Sequence, residues 1–265
     1  MKKIFLSSFL FILSFSRVCA FSVNDSATRH KFLSRLQISF NAGLSVPLGH
    51  YGSDMPYLGS TIDDYFVGFA SLGFTGDFTG SLRIVRTLHF IAMASLIHQP
   101  LNASGLLEEN GFGSNNLNVS GNYSYNHISF LFGPAWSFPS KNYSFGFRLL
   151  LGELLFNVPS IKATGNYTSY QIINYKYYYS TQDCNFNFHS NYNKNYIGGL
   201  GLTYQKTISQ HVFLSLNVNL LFSTIQFDTP CTITDMSGNY VGSSALYRST
   251  NVTMSDFTLG IGYNP

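Results

Sequence analysis

Residues 36–48 read Leu-Gln-Ile-Ser-Phe-Asn-Ala-Gly-Leu-Ser-Val-Pro-Leu, with an apolar residue at every even position. The residues between them are small or polar. Successive side chains of a β-strand point to opposite faces, so this segment would carry one apolar face and one polar face. The stretch therefore predicts a half-buried β-strand.

The same alternation recurs along the rest of the chain and is cleanest near residues 211–224. There Leu216 and Val218 share one parity, and Asn217 and Asn219 share the other. The pattern predicts eight strands, at about 36–48, 65–78, 82–97, 117–138, 143–156, 193–206, 211–224 and 252–263.

Long and short connections alternate between these strands. The long loops cover 49–64, 98–116, 157–192 and 225–251, and the short turns lie near 79–81, 139–142 and 207–210. Bacterial outer-membrane barrels have short periplasmic turns and long external loops. We therefore predict an all-β fold, an eight-stranded antiparallel up-and-down transmembrane β-barrel, over residues 35–265.

The first twenty residues have the pattern of a signal peptide. Lys2 and Lys3 precede an apolar core at 4–16, and Val18-Cys19-Ala20 places small residues before a cleavage site. An uncleaved anchor is the alternative, but the apolar run is short for a membrane span. We expect cleavage after residue 20, a short periplasmic segment at 21–34, and delivery to the outer membrane of a Gram-negative cell.

Composition supports an apolar environment outside the barrel. Only 10% of the residues are charged, while Phe and Tyr number 25 and 18; soluble domains have about a quarter of their residues charged. Without the signal peptide, 12 basic residues balance 12 acidic ones, which gives no support to a nucleic-acid partner. A soluble, lipocalin-like barrel would need a wetter exterior and a less polar interior.

The chain ends in Gly260-Ile261-Gly262-Tyr263-Asn264-Pro265. This end is similar to the terminal Gly-x-Gly-Tyr-x-Phe assembly signal of outer-membrane barrels, with Pro265 in place of the aromatic residue. Residues 35–265 resemble the small eight-stranded barrels that include OmpA, OmpX and opacity-type surface proteins. The resemblance implies a structural or adhesin-like role, contact with outer-membrane lipid and lipopolysaccharide, and insertion by the barrel-assembly machinery.

Five charged or titratable residues fall on the inward parity of the predicted strands: Arg83, His89, His127, Arg148 and Asp256. Eight strands enclose a space that side chains just fill, so we expect an internal polar network. Buried charges need partners, and we expect Arg148 or Arg83 to pair with an acid such as Asp256. No metal or cofactor motif is present.

Two alternative functions remain open at this point. His127 and Ser129 share one strand face, and a histidine beside a serine is the start of an acyl-transfer site. The pair is similar to the His-x-Ser of outer-membrane lipid A deacylases, although the nearest downstream glutamate, Glu153, falls on the outward parity. The other alternative is a small pore, which eight strands disfavour. We predict that the protein is not an enzyme.

The predicted loops carry two further features. Cys184 and Cys231 fall in neighbouring long loops of an exported chain, and we predict a disulfide between them. Tyrosines crowd the loop 157–192, where they would suit contact with a host or surface ligand. They are Tyr167, Tyr170, Tyr175, Tyr177, Tyr178 and Tyr179.

Overall fold

Eight strands close into an antiparallel barrel in the computed structural model, which describes residues 35–52, 69–107, 117–173 and 176–265. Each strand pairs with its neighbours around the barrel, and the pairing of the first strand with the last closes it. Numbered along the chain, the barrel strands are β1 Leu36–Leu48, β2 Gly73–Arg83, β3 Leu88–Leu101, β5 Tyr123–Pro139, β6 Tyr143–Val158, β9 Asn191–Thr207, β10 Val212–Asp235 and β11 Tyr240–Tyr263. The predicted signal peptide and the segment 21–34 lie outside the described residues.

The apolar parity of each barrel strand faces outward, as the alternation predicts. On β10, Leu216 is 46% exposed, whereas Asn217 and Asn219 are buried in the lumen. Outward-facing Phe, Leu and Ile side chains continue this surface around the barrel, for example Phe40 on β1 and Phe132 on β5. Such a continuous apolar band around a polar lumen is the arrangement of a lipid-embedded barrel.

The reversal between β2 and β3 lies at residues 84–87, so the turn predicted near 79–81 is wrong. Thr79 and Gly80 are instead paired within β2. Even positions face outward on both sides of the true turn, as at Phe78 and Phe90. Because the parity does not change across the turn, alternation alone does not show where the chain reverses.

At the end of the barrel opposite the short turns, β-structure continues where long loops are predicted. Strands β10 and β11 run on as one hairpin to a turn at residues 236–239, and a second hairpin is formed by β7 Ile161–Ile173 and β8 Lys176–Phe188. Strand β8 pairs with the upper part of β10, and the short strand β4 Asn118–Val119 pairs with β7. These segments lack the alternation of lipid-facing apolar residues, which is why they read as loops.

Two short helical segments lie at the same end. Gly49–Gly52 forms a 3-10 turn after β1, and Ala103–Leu107 forms a single helical turn, α1, after β3. The rest of the predicted loops 49–64 and 98–116 lies mostly outside the described residues. No helix in the described part of the chain is long and apolar enough to cross a membrane.

We expect the short-turn end to face the periplasm and the hairpin end to face outside. Ser140 lies in a short turn and Ser180 in the β7–β8 hairpin, and both are exposed. With cysteine at each position in turn, a membrane-impermeant maleimide added to intact cells should label position 180 and leave position 140 unlabelled. Labelling at 140 without labelling at 180 would reverse the orientation.

Candidate functional site

The half of the lumen nearer the short turns is filled by a polar network centred on Asn41. The Asn41 Nδ2 donates to Asp77 Oδ1 at 2.6 Å, and Asn41 Oδ1 accepts from Ser215 Oγ at 2.7 Å and Asn217 Nδ2 at 3.0 Å. Thr79 Oγ1 also donates to Asp77 Oδ1, at 2.8 Å. These bonds join β1, β2 and β10 across the lumen, beside a cavity of about 60 Å³ that Ser215 and Asn217 help to line.

Arg148 is buried in the same network, but the predicted ion pair with Asp256 is not formed. Its Nε and Nη2 donate to Asn219 Oδ1 at 3.0 and 2.6 Å. The only salt bridge among the described residues joins Lys194 and Glu153. Gly201 lies opposite Arg148 on β9, where a Cβ would collide with the arginine side chain. The missing side chain therefore lets the guanidinium reach across to β10.

Two other residues predicted to lie in the interior, His89 and Arg83, differ in how deeply they are buried. His89 is buried and its Nδ1 lies 3.2 Å from Ser81 Oγ. Arg83 is exposed at the end of β2 and lines an open cavity of about 380 Å³ at the short-turn mouth. The prediction that Arg83 helps to fill the lumen is therefore wrong, because β2 ends there and leaves its side chain at the rim.

The glycines of the terminal motif also face the lumen. A Cβ at Gly260 would meet the Asn41 amide, and a Cβ at Gly262 would meet the ring of Phe213. Both glycines therefore make room for side chains that fill the barrel. This local packing role exists alongside any role of the motif in assembly.

The half of the lumen nearer the hairpins is closed by an aromatic plug, defined here as Tyr51, Tyr125, His127 and Phe156. All four side chains are at most 1% exposed. The His127 and Phe156 rings stack with centroids 4.4 Å apart, and Tyr125 and Phe156 lie 5.1 Å apart. Tyr51 enters from the 3-10 turn after β1, so the first long loop helps to seal the barrel.

A chain of hydrogen bonds runs from the plug to Ser45 on β1. Tyr51 Oη donates to Gln99 Oε1 at 2.7 Å and lies 2.7 Å from His127 Nε2. Gln99 Nε2 donates to Ser45 Oγ at 3.2 Å. A tyrosine hydroxyl has one proton to donate, so His127 is the donor to Tyr51. The roles of Tyr51 and Gln99 could not be predicted from the sequence, because neither residue lies in a recognisable motif.

This arrangement does not make a catalytic site of His127 and Ser129. Ser129 Oγ bonds Ser95 Oγ at 2.6 Å, whereas His127 bonds Tyr51. Both side chains are buried, at 1% exposure or less, and no carboxylate bonds either of them among the described residues. A nucleophile needs its base within hydrogen-bond reach and access to substrate. His127 has the interior filling role that its parity predicts. The described residues also contain no group of three His, Cys, Asp or Glu that could hold a metal ion.

The predicted disulfide is not formed, and both cysteines are free thiols buried against the sheet above the barrel. On the paired strands β8 and β10, Cys231 pairs with Phe188 and Cys184 pairs with Asp235. The two cysteines are therefore four positions apart along the ladder. Four positions correspond to about 13 Å, whereas bridged Cα atoms lie within about 7 Å. The neighbouring loops do meet, but their register keeps the two thiols apart.

Both thiols should be unreactive in the folded protein. Burial raises the pKa of the Cys231 thiol to about 12 and also raises the pKa of the Cys184 thiol. Since the thiolate is the nucleophile, iodoacetamide at pH 8 should leave native protein unmodified and alkylate both cysteines after denaturation without reductant. Mass spectrometry distinguishes the outcomes, and a non-reduced protein that resists alkylation after denaturation would indicate a disulfide.

The predicted tyrosine cluster lies on the β7–β8 hairpin. Tyr170 pairs with Tyr179 and Gln171 with Tyr178 near its tip, and the Tyr179 side chain is 72% exposed. Tyr167 lies lower and packs its ring against Phe186, with centroids 6.5 Å apart. Tyr167 therefore belongs to the base of the hairpin. Tyr175 lies outside the described residues.

No protein-family model matches the chain, and no curated protein matches it. Solved structures similar to it include Neisserial surface protein A, with 9% identity, a TM-score of 0.44 and coverage of 87% of this chain and 97% of that one. Ail, the attachment invasion locus protein of Yersinia pestis, has 11% identity, a TM-score of 0.39 and coverage of 86% and 98%. The outer membrane protein OprG from Pseudomonas aeruginosa has 9% identity, a TM-score of 0.41 and coverage of 86% and 96%. The fold assignment rests on the strand pairing described above.

Proposed function

We propose that this chain is an integral outer-membrane protein that binds ligands at the cell surface through the tip of its β7–β8 hairpin. The observation that carries the proposal is a hairpin that projects beyond a barrel with a sealed lumen. In this proposal, outer-membrane lipid and lipopolysaccharide surround the apolar band, and the barrel-assembly machinery inserts the chain.

The hairpin extends past every other described element. Residues 184–188 of β8 pair with residues 231–235 of β10, next to the turn that ends the β10–β11 hairpin. Beyond Cys184, β7 and β8 continue to Ile173 and Lys176. No third strand pairs with this part in the described chain, and its eight β8 residues span about 26 Å. The projecting tip is therefore the part of the molecule most accessible to another surface.

The residues at the tip suit recognition. Tyrosines occupy positions 170, 177, 178 and 179 of the paired hairpin. A tyrosine supplies a large apolar ring with a polar hydroxyl, and tyrosines are enriched in protein interfaces. A two-stranded hairpin without further support is marginally stable in water, so the tip can adapt to a ligand. The chemistry favours a protein or glycan surface as the ligand.

The lumen offers less to the alternative functions. Buried side chains of the Asn41 network and the aromatic plug cross the lumen, and a cavity of about 60 Å³ lies beside the network. A pore needs a continuous aqueous path, which these side chains interrupt. A deacylase needs its histidine and serine exposed to substrate, whereas His127 and Ser129 are buried.

The test compares cells that display the parent with cells that display a variant in which Tyr177, Tyr178 and Tyr179 are changed to Ser. We expect adherence to epithelial monolayers and to immobilised matrix proteins to fall at least about tenfold, on the scale of losing several interface anchors. Tyr240→Ser is the matched control, because Tyr240 is also exposed but lies beside the turn of the β10–β11 hairpin, which projects less far than the β7–β8 hairpin. Heat-modifiable migration on a gel confirms that each variant is folded. Equal adherence of parent and triple variant, or no adherence above cells lacking the protein, would refute the proposal.

A further inference from the structure

Two outward-facing lysines on β9 lie at opposite ends of the apolar band. Lys194 and Lys206 are exposed and share the outward parity, with Leu200 and Leu202 between them. Twelve residues of strand span about 40 Å, or about 30 Å along the membrane normal at the tilt of such barrels. That distance matches the hydrocarbon thickness of a bilayer. The two lysines therefore mark the two membrane interfaces.

At the hairpin end of β9, the positive charge of Lys194 is balanced by a neighbouring negative charge. Lys194 Nζ lies 2.7 Å from Glu153 Oε1 on β6. Tyr192 and Tyr196 flank Lys194 on the same face and are strongly exposed. This end of β9 therefore presents a neutral ion pair between two interfacial tyrosines.

Among the described residues, all the Lys, Arg, Asp and Glu side chains at the short-turn end are positively charged. Apart from Arg83, which lines the mouth of the lumen, the exposed basic residues form what we call the basic collar: Arg35, Arg86, Lys141 and Lys206. The described residues at this end contain no Asp or Glu, over the ranges 35–40, 78–92, 132–148, 203–216 and 258–265. The collar residues lie just before β1, in the β2–β3 turn, in the β5–β6 turn and on β9, so the charge is spread around much of the barrel.

An aromatic belt fixes the depth of the collar in the membrane. Tyr143 pairs with Lys206 across β6 and β9, and its ring lies 6.3 Å from that of Tyr204. Trp136 stacks on Phe147, with ring centroids 6.0 Å apart, on the outward parity of β5. Tyr and Trp concentrate at the level of lipid headgroups. The collar therefore lies beside the phosphates of the facing leaflet.

We propose that the basic collar selects anionic phospholipids, with phosphatidylglycerol as the representative headgroup, in the leaflet at the short-turn end. Lys and Arg at a membrane surface attract anionic lipids, and here no neighbouring carboxylate among the described residues offsets them. The inference rests on the membrane insertion in the proposed function, but not on ligand binding by the hairpin. It makes the barrel asymmetric, with a neutral pair at one interface and a cationic ring at the other.

The single tryptophan of the chain, Trp136, reports on this site directly. The protein is reconstituted in vesicles of phosphatidylcholine and phosphatidylglycerol in which one of the two lipids carries brominated acyl chains, which quench tryptophan fluorescence. Quenching of Trp136 at equal mole fractions gives the association constant of each lipid for the protein. The constant for phosphatidylglycerol should be at least about fivefold higher than that for phosphatidylcholine, the effect expected of one basic residue near the surface. High salt should reduce this preference.

The variant K141Q/K206Q should bring the ratio of the phosphatidylglycerol to the phosphatidylcholine association constant towards one. The matched control K194Q should leave this ratio at the parent value. A parent ratio near one, an unchanged ratio in K141Q/K206Q, or an equal loss in K194Q would overturn the proposal. Absence of quenching by either brominated lipid would instead contradict membrane insertion itself. Retention of the parent on purified peptidoglycan without any lipid preference would assign the collar to an acidic polymer and would also overturn it.

Discussion

Replacement of Phe156 by alanine is expected to lower the free energy of unfolding by about 3–5 kcal/mol, the usual cost of emptying a buried aromatic site. Phe156 is 1% exposed, and its ring contacts those of His127 and Tyr125. The surrounding strands are held by the closed ladder and cannot collapse into the space. Urea unfolding of the protein in phospholipid vesicles, followed by gel mobility without heating, measures the loss.

The matched control is Phe145→Ala, eleven residues earlier on the same strand. Phe145 is 56% exposed and faces outward, where lipid chains can fill the space that the ring leaves. The cavity contribution should therefore be absent, and the loss should be clearly smaller than at Phe156. Equal losses at the two positions would show that the plug is not a packed core.

Leu220→Arg is expected to cost about 2–4 kcal/mol, because it places a charge against hydrocarbon near the middle of the bilayer. Leu220 faces outward and pairs with Leu200 of β9, midway between Lys194 and Lys206. The same unfolding measurement applies. An assembled Leu220→Arg barrel as stable as the parent would mean that this face does not contact lipid.

Tyr263→Arg provides the comparison at the edge of the membrane. Tyr263 shares the outward side of the barrel but pairs with Val212, the first residue of β10. An arginine near the interface costs only about 0–1 kcal/mol. The difference between the two variants separates the effect of depth from the effect of adding a charge.

The parts of the fold that depend on contact with lipid could be predicted from the sequence. A lipid-facing strand must alternate, so the parity of Leu216 and Asn217 is visible without a structure. The position of the turn between β2 and β3 could not be predicted, because the outward parity is the same at Phe78 and Phe90. The sheet above the barrel could not be predicted, because strands in water need no apolar band. The β7–β8 hairpin therefore lacks the alternation of apolar and polar residues that marks the barrel strands.

The interior could be predicted only in outline. Parity identifies Arg148 and Asp256 as inward-facing, but it does not say which side chain each will meet. Arg148 reaches Asn219 because Gly201 has no side chain between them. This contact depends on residues of three different strands. The contact of Tyr51 with His127 joins a loop residue to a strand 76 positions away. Likewise, the two cysteines fail to meet because of strand register, which spacing along the chain does not specify.

The pairing of β1 with β11 has a consequence for how the barrel forms. Ile38 and Tyr263 are partners in that ladder, so the closing contact joins positions 225 residues apart. Loop-closure entropy opposes such distant contacts and makes topologies of this kind slow to fold. Until β11 arrives, β1 and β10 each present an unpaired strand edge, which is a template for aggregation. The chain therefore stays prone to association until its last strand is available, and the pairing of β11 with β1 and β10 removes both exposed edges together.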